Sequence, residues 1–167
     1  EKTPYDVLLN QYEPGLTVEK LDAVFDQVKN GITTLRHKLS ANDSIPNDEF
    51  LSRKVTKVQQ SKYAMAAAQR LGYNLNKGRL DDTIHPFMEA LNRDDARITT
   101  RWDENNFQMA VLGILHEAGH GLFEQNVDSK YDDVRSVLPI SMSIHESQSL
   151  FNEVMVGRSK EFWAVEY

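Results

Sequence analysis

The chain carries two histidines one helical turn apart, in His116-Glu117-Ala118-Gly119-His120. Residues i and i+4 of an α-helix lie on the same face, so both imidazoles can reach one metal ion. Glu117 lies about 100° further round the helix, close to a water on that ion without having to coordinate it. A bound Zn²⁺ lowers the pKa of its water to about 7, and a neighbouring carboxylate can pass the proton to a leaving group. The motif predicts a zinc-type hydrolase with Glu117 as the catalytic carboxylate.

A simpler interpretation is that the two histidines line a polar helix face beside an exposed glutamate. Two features disfavour it. The motif lies inside an apolar stretch from Val111 to Phe123, where unpaired polar groups are costly. It also contains Gly119 and Gly121, each of which lowers helix stability by about 1 kcal/mol relative to alanine. Close approach of another backbone or of a ligand would explain these glycines, so we favour the metal site.

A catalytic zinc site needs a third protein ligand, and the best candidate is Glu146. Its position after His120 leaves room for one loop and a returning helix. The alternative is a capping box, because Ser143-x-x-Glu146 is also a helix-start signal in which the carboxylate folds back on a backbone N–H. Spacing alone does not decide between the two. His145 is the rival third ligand, or a donor to the reacting carbonyl oxygen.

Composition restricts the other possibilities. The chain has 167 residues and a net charge of −6, which argues against a general nucleic-acid-binding surface. No apolar run approaches 18 residues, so we expect no membrane span. The chain has no cysteine, which excludes thiolate ligands and suits a cytoplasmic protein. Because it begins without methionine and stops in an apolar-rich stretch, we interpret both ends as cuts through something longer.

Hydrophobic periodicity predicts four helices around a small β ribbon. The first spans residues 17–41, with Thr17 as N-cap and a core-facing apolar stripe from Leu21 to Leu39; a break at Ser40–Pro46 follows. The second runs from Asn47 or Asp48 to Leu71, with its stripe at Leu51, Val55, Val58 and Met65, alanines at 64–68 for close packing and Gly72 after its end. The third follows Asp103 as cap and ends near Asn126; a loop from Asp128 to Ser141 leads to a fourth, from about Ser143 to the C-terminus.

Between the second and third helices, Thr83–His85 and Arg97–Trp102 contain β-branched and aromatic residues suited to strands. Turn chemistry at residues 76–78 and 92–95 flanks them. We therefore predict a mainly α fold with a small antiparallel β ribbon next to the metal-binding helix. The predicted domain is single and partial over residues 1–167, with a helical scaffold (1–75), ribbon and loops (76–103) and metal-binding helices (104–167).

Several sequence blocks, in one order, resemble the thermostable (Taq-type) metallocarboxypeptidases, a zincin family with a neurolysin-like helical fold. The blocks are Gly78–Asp81, His85–Phe87, Asp95–Trp102, His116–Gln125, His145–Ser149 and Gly157–Trp163. The resemblance implies that His116, His120 and Glu146 bind the metal and that Glu117 activates water. It therefore favours the metal interpretation of Glu146 over the capping box.

The same resemblance implies removal of single residues from peptide C-termini, with broad side-chain tolerance, by a homodimeric enzyme that uses zinc, cobalt or another divalent ion. Asp95–Thr99 matches the family's Asp-x-Arg-x-Thr block beside the active site, so Arg97 and Thr99 are candidate substrate-binding residues. An edge there could pair with an extended peptide, and Arg97 could bind a carboxylate bidentately or form an internal salt bridge with Asp95 or Asp81. His85 and His145 are further substrate-binding candidates, although a structural role is the ordinary one for a lone histidine.

Three functional hypotheses follow. The leading one is a metallocarboxypeptidase of which this chain is the metal-binding portion. The family's downstream segments, which supply an arginine for the substrate carboxylate and a tyrosine near the reacting carbonyl, are missing from these 167 residues. That motivates the second hypothesis, a catalytically idle metal-binding or interaction module. The third is an oligopeptidase that cuts inside short peptides, because related helical zincins share the motif.

Overall fold

The structure, a computed structural model, describes residues 2–42, 46–134 and 141–166. The helices are α1 (Pro4–Tyr12), α2 (Val18–Ser40), α3 (Lys57–Arg70), α4 (Phe107–Gln125), α5 (Met142–Leu150) and α6 (Lys160–Glu166), and the strands are β1 (Leu80–Asp82), β2 (Met88–Asn92) and β3 (Asp95–Thr100). A π-helical turn, Phe151–Val156, follows α5. Within these ranges no helix is both long and apolar enough to cross a membrane. The predicted mainly α fold with a small sheet is confirmed.

The described residues form two compact units, one made of residues 2–42, 46–48 and 141–143 and the other of residues 49–134 and 144–166. That the whole chain is one partial domain stays a prediction. The predicted break at Ser40–Pro46 and the predicted loop from Asp128 to Ser141 each include residues outside the described ranges.

Among the described residues, the first unit is held by hydrogen bonds at the starts of its two helices, and not by an apolar core. Thr17 caps α2, as predicted, by accepting a hydrogen bond from the backbone of Lys20. The sequence interpretation omitted α1, although Thr3 and Asp6 form a capping box with proline at the first helical position. The carboxylate of Asp6 also accepts the backbone N–H of Val18, which ties α1 to the start of α2.

The predicted core-facing stripe of α2 is not buried in the described chain. None of the helix's residues is buried, and six large apolar side chains are about half exposed or more: Val24, Phe25, Val28, Ile32, Leu35 and Leu39. The prediction that core packing explains this stripe is therefore wrong for the residues described. The spacing of the apolar residues predicted the helix correctly. It does not predict which other segments pack against that helix.

In the second unit, α3 is shorter than predicted. Residues Glu49–Ser52 form a 3₁₀ turn, and α3 then starts after Thr56, which caps it through a capping box with Gln59. The predicted stripe is wrong here as well, because Val58 is exposed and the buried side is formed by Gln60, Ala64, Ala67 and Ala68. The small side chains of the alanines allow α3 to pack closely, as the sequence analysis predicted. Gly72 follows the helix with a φ of 104°, a conformation that favours glycine.

The small sheet has the order β1-β3-β2, so β3 is its central strand. The β2–β3 pair is antiparallel, as predicted, and residues 92–95 connect the two strands. However, β1 pairs with β3 in parallel, and Thr83–His85 lies outside the strands, which corrects the predicted ribbon. Strand β1 pairs with β3 at Ile98–Thr100 and β2 pairs with it at Asp95–Ile98, so both strands pair with β3 only at Ile98, and β1 covers the predicted peptide edge at Ile98 and Thr99. Peptide pairing along the rest of Asp95–Thr99 stays a prediction.

Helix α4 is the centre of the second unit, packed against α3, β3, β2 and the π-helical turn. Its N-cap is Asn106, which accepts from the backbone of Met109; the prediction of Asp103 is wrong, since that carboxylate accepts from Asn105 instead. Its end at Gln125, with Asn126 as C-cap, matches the prediction. The predicted fourth helix is interrupted: α5 passes into the π-helical turn, and Gly157 separates that turn from α6. The core beside α4 contains Ala64, Ala67, Ala68, Tyr73, Ile98, Val111, Leu112, Ile114, Leu115 and Ala118.

Candidate metal centre

The two histidines of α4 face a carboxylate from α5. Nε2 of His116 lies 3.4 Å from Oε1 of Glu146, and Nε2 of His120 lies 3.2 Å from Oε2 of the same residue. One potential ligand atom from each of the three residues lies within 4.8 Å of the other two. The carboxylate of Glu146 is thus directed at the imidazole pair. Helix α5 starts at Met142, so Ser143, the predicted cap, already lies inside the helix.

Gly119 allows α5 to approach this close. A Cβ atom on Gly119 would lie 2.6 Å from the carbonyl oxygen of Gln148 and 2.7 Å from Cα of Ser149. Both are backbone atoms of α5, so an added side chain would push apart the two helices that carry the candidate ligands. At Gly121 a Cβ would lie 2.7 Å from the ring of Tyr73. The helix-weakening glycines of the motif are therefore explained by close approach, in the first case of a backbone, as expected.

His116 is oriented by a carboxylate behind it. Its Nδ1 lies 3.0 Å from Oε2 of Glu153, whose other oxygen accepts a 2.7 Å hydrogen bond from Arg158. Burial pushes the pKa of Glu153 up, but the hydrogen bonds from Arg158 and His116 outweigh it, so the pKa is lower than usual. An ionised carboxylate only accepts, so Nδ1 of His116 carries a hydrogen towards Glu153, and Nε2 is the ring nitrogen that faces Glu146.

His120 is oriented by a second imidazole. Its Nδ1 lies 2.6 Å from Nδ1 of His145, and Nε2 of His145 lies 2.9 Å from Oε1 of Glu124. Both His145 and Glu124 are buried. Burial lowers the pKa of His120 to about 4; His145 acts in the same direction and Glu146 opposes it. The His120 ring is therefore neutral near pH 7, the form that can bind a metal.

Glu117 is buried beside the candidate ligands. Burial raises its pKa to about 7, with His116 opposing the rise and Glu146 adding to it. A carboxyl group with a pKa near neutrality can both take up and release a proton at neutral pH. A divalent cation nearby would favour its ionised form.

The residues present fit a divalent metal. Two imidazole nitrogens and one carboxylate oxygen converge, and the other nitrogen of each ring is held by a hydrogen bond. Three protein ligands of this kind, with a fourth position left for water or substrate, are typical of catalytic zinc sites. The donor set also accepts other divalent ions, so it does not identify the metal.

The predicted substrate-binding residues are placed less favourably. Arg97 forms a bidentate salt bridge with Asp95, with both distances 2.8 Å, which is one of the two arrangements predicted for it. Thr99 is buried, and its hydroxyl is bonded to the backbone of Phe87. His145 uses both ring nitrogens within the protein. His85 lies in a bend between β1 and β2 with an exposed side chain.

Three residues behind the candidate ligands were missed by sequence reasoning: Glu124, Glu153 and Arg158. Glu124 continues the i, i+4 series of His116 and His120, so the spacing contained a signal for it. Glu153 lies seven residues after Glu146, which also indicates a shared helix face, but the π-helical turn changes that face. Arg158 lies beyond a glycine, and no residue spacing indicated its place near His116.

Comparison with known proteins identifies a family. The profile of the family described as Carboxypeptidase Taq (M32) metallopeptidase matches residues 1–167. The chain is 42% identical over 167 residues to Carboxypeptidase 1 of Bacillus subtilis, covering 100% of this chain and 33% of that protein. It is 38% identical over 159 residues to Thermostable carboxypeptidase 1 of Thermus thermophilus, covering 95% and 31%.

Solved structures show the same likeness. The M32 carboxypeptidase from Deinococcus radiodurans superposes with a TM-score of 0.91 at 37% identity, over 96% of this chain and 32% of that one. For the Pyrococcus furiosus carboxypeptidase the TM-score is 0.86 at 33% identity, over 97% and 33%. The chain spans about a third of the length of the curated relatives it matches. By its sequence over all 167 residues and by its fold, it belongs to the Taq carboxypeptidase (M32) family of metallopeptidases.

Proposed function

We propose that this chain is the metal-binding part of a carboxypeptidase that releases amino acids from peptide C-termini with broad side-chain tolerance. The observation that carries the proposal is the convergence of Nε2 of His116, Nε2 of His120 and a carboxylate oxygen of Glu146. Membership of a metallopeptidase family and the carboxypeptidase names of its relatives support the reaction class. Zinc is the proposed ion, with cobalt as an alternative.

In this proposal His116, His120 and Glu146 would hold the ion, which would supply acidification of a water molecule and polarisation of the peptide carbonyl. Glu117 would take the proton of the attacking water and give it to the leaving amine, a role that suits its burial and its pKa of about 7. Glu153 and Arg158 keep His116 directed at the ion. His85, with its exposed side chain, stays a proposed substrate contact.

Arg97 and Thr99 are better explained by the contacts they already make. The guanidinium of Arg97 forms a bidentate salt bridge with Asp95, and the hydroxyl of Thr99 accepts a hydrogen bond from the backbone N–H of Phe87. We therefore propose that both shape the sheet beside α4 rather than bind substrate. The homodimer implied by the family resemblance remains a proposal for the whole protein.

The test is hydrolysis of N-terminally blocked peptides in the presence of zinc or cobalt. We would assay this chain alone, and a hybrid in which it replaces the matching third of the Bacillus subtilis relative. Glu117→Gln should lower kcat/KM of the active form by about 100- to 10,000-fold while leaving the bound metal in place. The matched control is Glu161→Gln on the exposed side of α6. Undiminished hydrolysis by the Glu117 variant would refute the mechanism.

The products separate the alternatives. Release of single C-terminal residues supports a carboxypeptidase, whereas cleavage inside the peptide supports an oligopeptidase. If the chain and the hybrid both bind metal stoichiometrically and neither hydrolyses any peptide, the idle metal-binding module is the better description.

A further inference from the structure

A buried hydrogen-bonded series extends from His120 into the protein, through the ring of His145 to the carboxylate of Glu124. The two distances along it are 2.6 Å, between the Nδ1 atoms of His120 and His145, and 2.9 Å, from Nε2 of His145 to Oε1 of Glu124. The side chains of His145 and Glu124 are 7% and 6% exposed, so water does not readily replace these contacts. The ring of His145 also packs against Phe123, with the ring centres 4.7 Å apart.

The direction of these hydrogen bonds decides where His120 carries its proton. A carboxylate only accepts, so an ionised Glu124 requires Nε2 of His145 to donate. A neutral His145 then has its lone pair on Nδ1 and accepts the Nδ1–H of His120. The result is that Nε2 of His120 keeps its lone pair, directed at Oε2 of Glu146 3.2 Å away.

The opposite arrangement is a genuine competitor. A doubly protonated His145 would present Nδ1–H to His120, whose Nδ1 would have to accept. The proton of His120 would then sit on Nε2 and point at the carboxylate of Glu146, a favourable contact for a metal-free protein. Such a proton would occupy the position that a metal ion needs. Glu146 and His145 therefore compete for the single proton of His120.

We propose that His145 and Glu124 are positioning residues that fix the proton of His120 on Nδ1 and so keep Nε2 ready for the metal. The inference rests on the proposed metal site, because only this arrangement leaves Nε2 of His120 as a lone-pair donor to the ion. It also gives His145 a role other than third ligand or substrate contact. His116 contacts Glu153 directly through its Nδ1, so the two ligands are oriented by different partners.

The first test reads the proton position without metal. In the metal-free 167-residue chain, labelled with ¹⁵N-histidine, long-range ¹H–¹⁵N correlation spectra at pH 7.5 distinguish protonated from unprotonated ring nitrogens. We expect His120 with a protonated Nδ1 and a bare Nε2. In His145→Leu the proton should move to Nε2, towards Glu146. A wild-type His120 already protonated on Nε2 would overturn the proposal.

The second test uses rescue. The amide oxygen and nitrogen of glutamine are spaced much like the two ring nitrogens of histidine, and an amide can accept from His120 and donate to Glu124. His145→Leu should weaken zinc binding about 10- to 100-fold, and His145→Gln should restore most of that affinity. The matched control is His37→Gln on α2, which is exposed and should leave affinity unchanged. Circular dichroism checks that each variant is folded.

The two proposals fail in different ways. If the wild-type chain and the hybrid bind no divalent metal, the proposed function fails, whatever the ring spectra show. If metal binds but leucine and glutamine at position 145 impair it equally, the positioning role fails and the metal site stands. Equal affinity of His145→Leu and the wild type would also overturn the positioning role.

Discussion

Helices α2 and α4 were predicted from the same spacing of apolar residues, yet they have opposite environments. Eleven of the 19 residues of α4 are buried, whereas none of the 23 residues of α2 is. Periodicity determines which side chains share a helix face, and both helices obey it. Burial depends on which other segments lie against that face, and among the described residues α4 has β3, α3 and the π-helical turn. The candidate metal site lies on the covered helix, where burial perturbs the pKa values of His120 and Glu117.

The largest difference in stability between the two helices should come from truncating one leucine on each of them to alanine. Leu115 on α4 is fully buried, and Leu35 on α2 is 56% exposed. We expect Leu115→Ala to lower the free energy of unfolding by about 2–5 kcal/mol, because it leaves a cavity. Leu35→Ala should change it by no more than about 0.5 kcal/mol. Urea denaturation of the 167-residue chain measures both; equal losses would mean that the face of α2 is covered in solution.

The next largest difference between the two helices should come from an added methyl group. Gly119→Ala should cost about 1–3 kcal/mol, because the atoms it meets are backbone atoms of α5 that cannot turn aside. It should also weaken zinc binding, since α5 carries Glu146. The control is Gly113→Ala on the same helix, whose Cβ would have its nearest neighbour at 3.8 Å. If both variants bind zinc like the wild type, α5 does not depend on this close approach.

Acid should reveal how the start of α2 is held. Hydrogen bonds from the backbone of Val18, then Thr3, lower the pKa of Asp6 to about 2; burial opposes them and Lys2 adds to them. An unfolded aspartate titrates near 3.9, so the ionised group stabilises the fold above about pH 4, and this contribution is lost as the pH falls to about 2. Asp6→Asn should therefore be less stable than wild type at pH 7, with the difference vanishing near pH 2. Urea denaturation across this range checks it; a constant difference would contradict it.

The smallest effect should be a gain. Gly31 lies inside α2, and a Cβ there would have no neighbour within 4 Å. Gly31→Ala should raise the free energy of unfolding by about 0.5–1 kcal/mol through helix propensity alone. The same substitution thus has opposite signs at Gly31 and Gly119. A loss of stability at Gly31 would show that another segment lies against this part of α2.

Much of the site could be predicted because its signals are local. His116 and His120 share a face through their spacing, and Glu146 followed from the family resemblance although its spacing alone was ambiguous. Their hydrogen-bond partners could not be assigned, because Glu153 lies on a π-helical turn and His145 acts through its position behind His120. Such contacts depend on how helices pack, and a single sequence does not encode that in its periodicity.

In the fold, too, local features could be predicted from the sequence, whereas contacts between separate segments could not. The limits of α2 and the end of α4 followed from spacing and cap residues, which are local properties. The parallel pairing of β1 with β3 joins residues far apart in the chain, and no turn between them sets its register. The buried side of α3 was mispredicted because its contact with α4 selects small alanines over the larger Val58 and Met65.

The most direct test of the account is to locate the ion itself. We would crystallise the zinc-loaded chain and measure anomalous scattering on both sides of the zinc absorption edge. A single zinc should lie about 2.0–2.2 Å from Nε2 of His116, Nε2 of His120 and a carboxylate oxygen of Glu146. A zinc bound elsewhere, or one coordinated by both histidines with Glu146 turned away, would contradict the proposed centre.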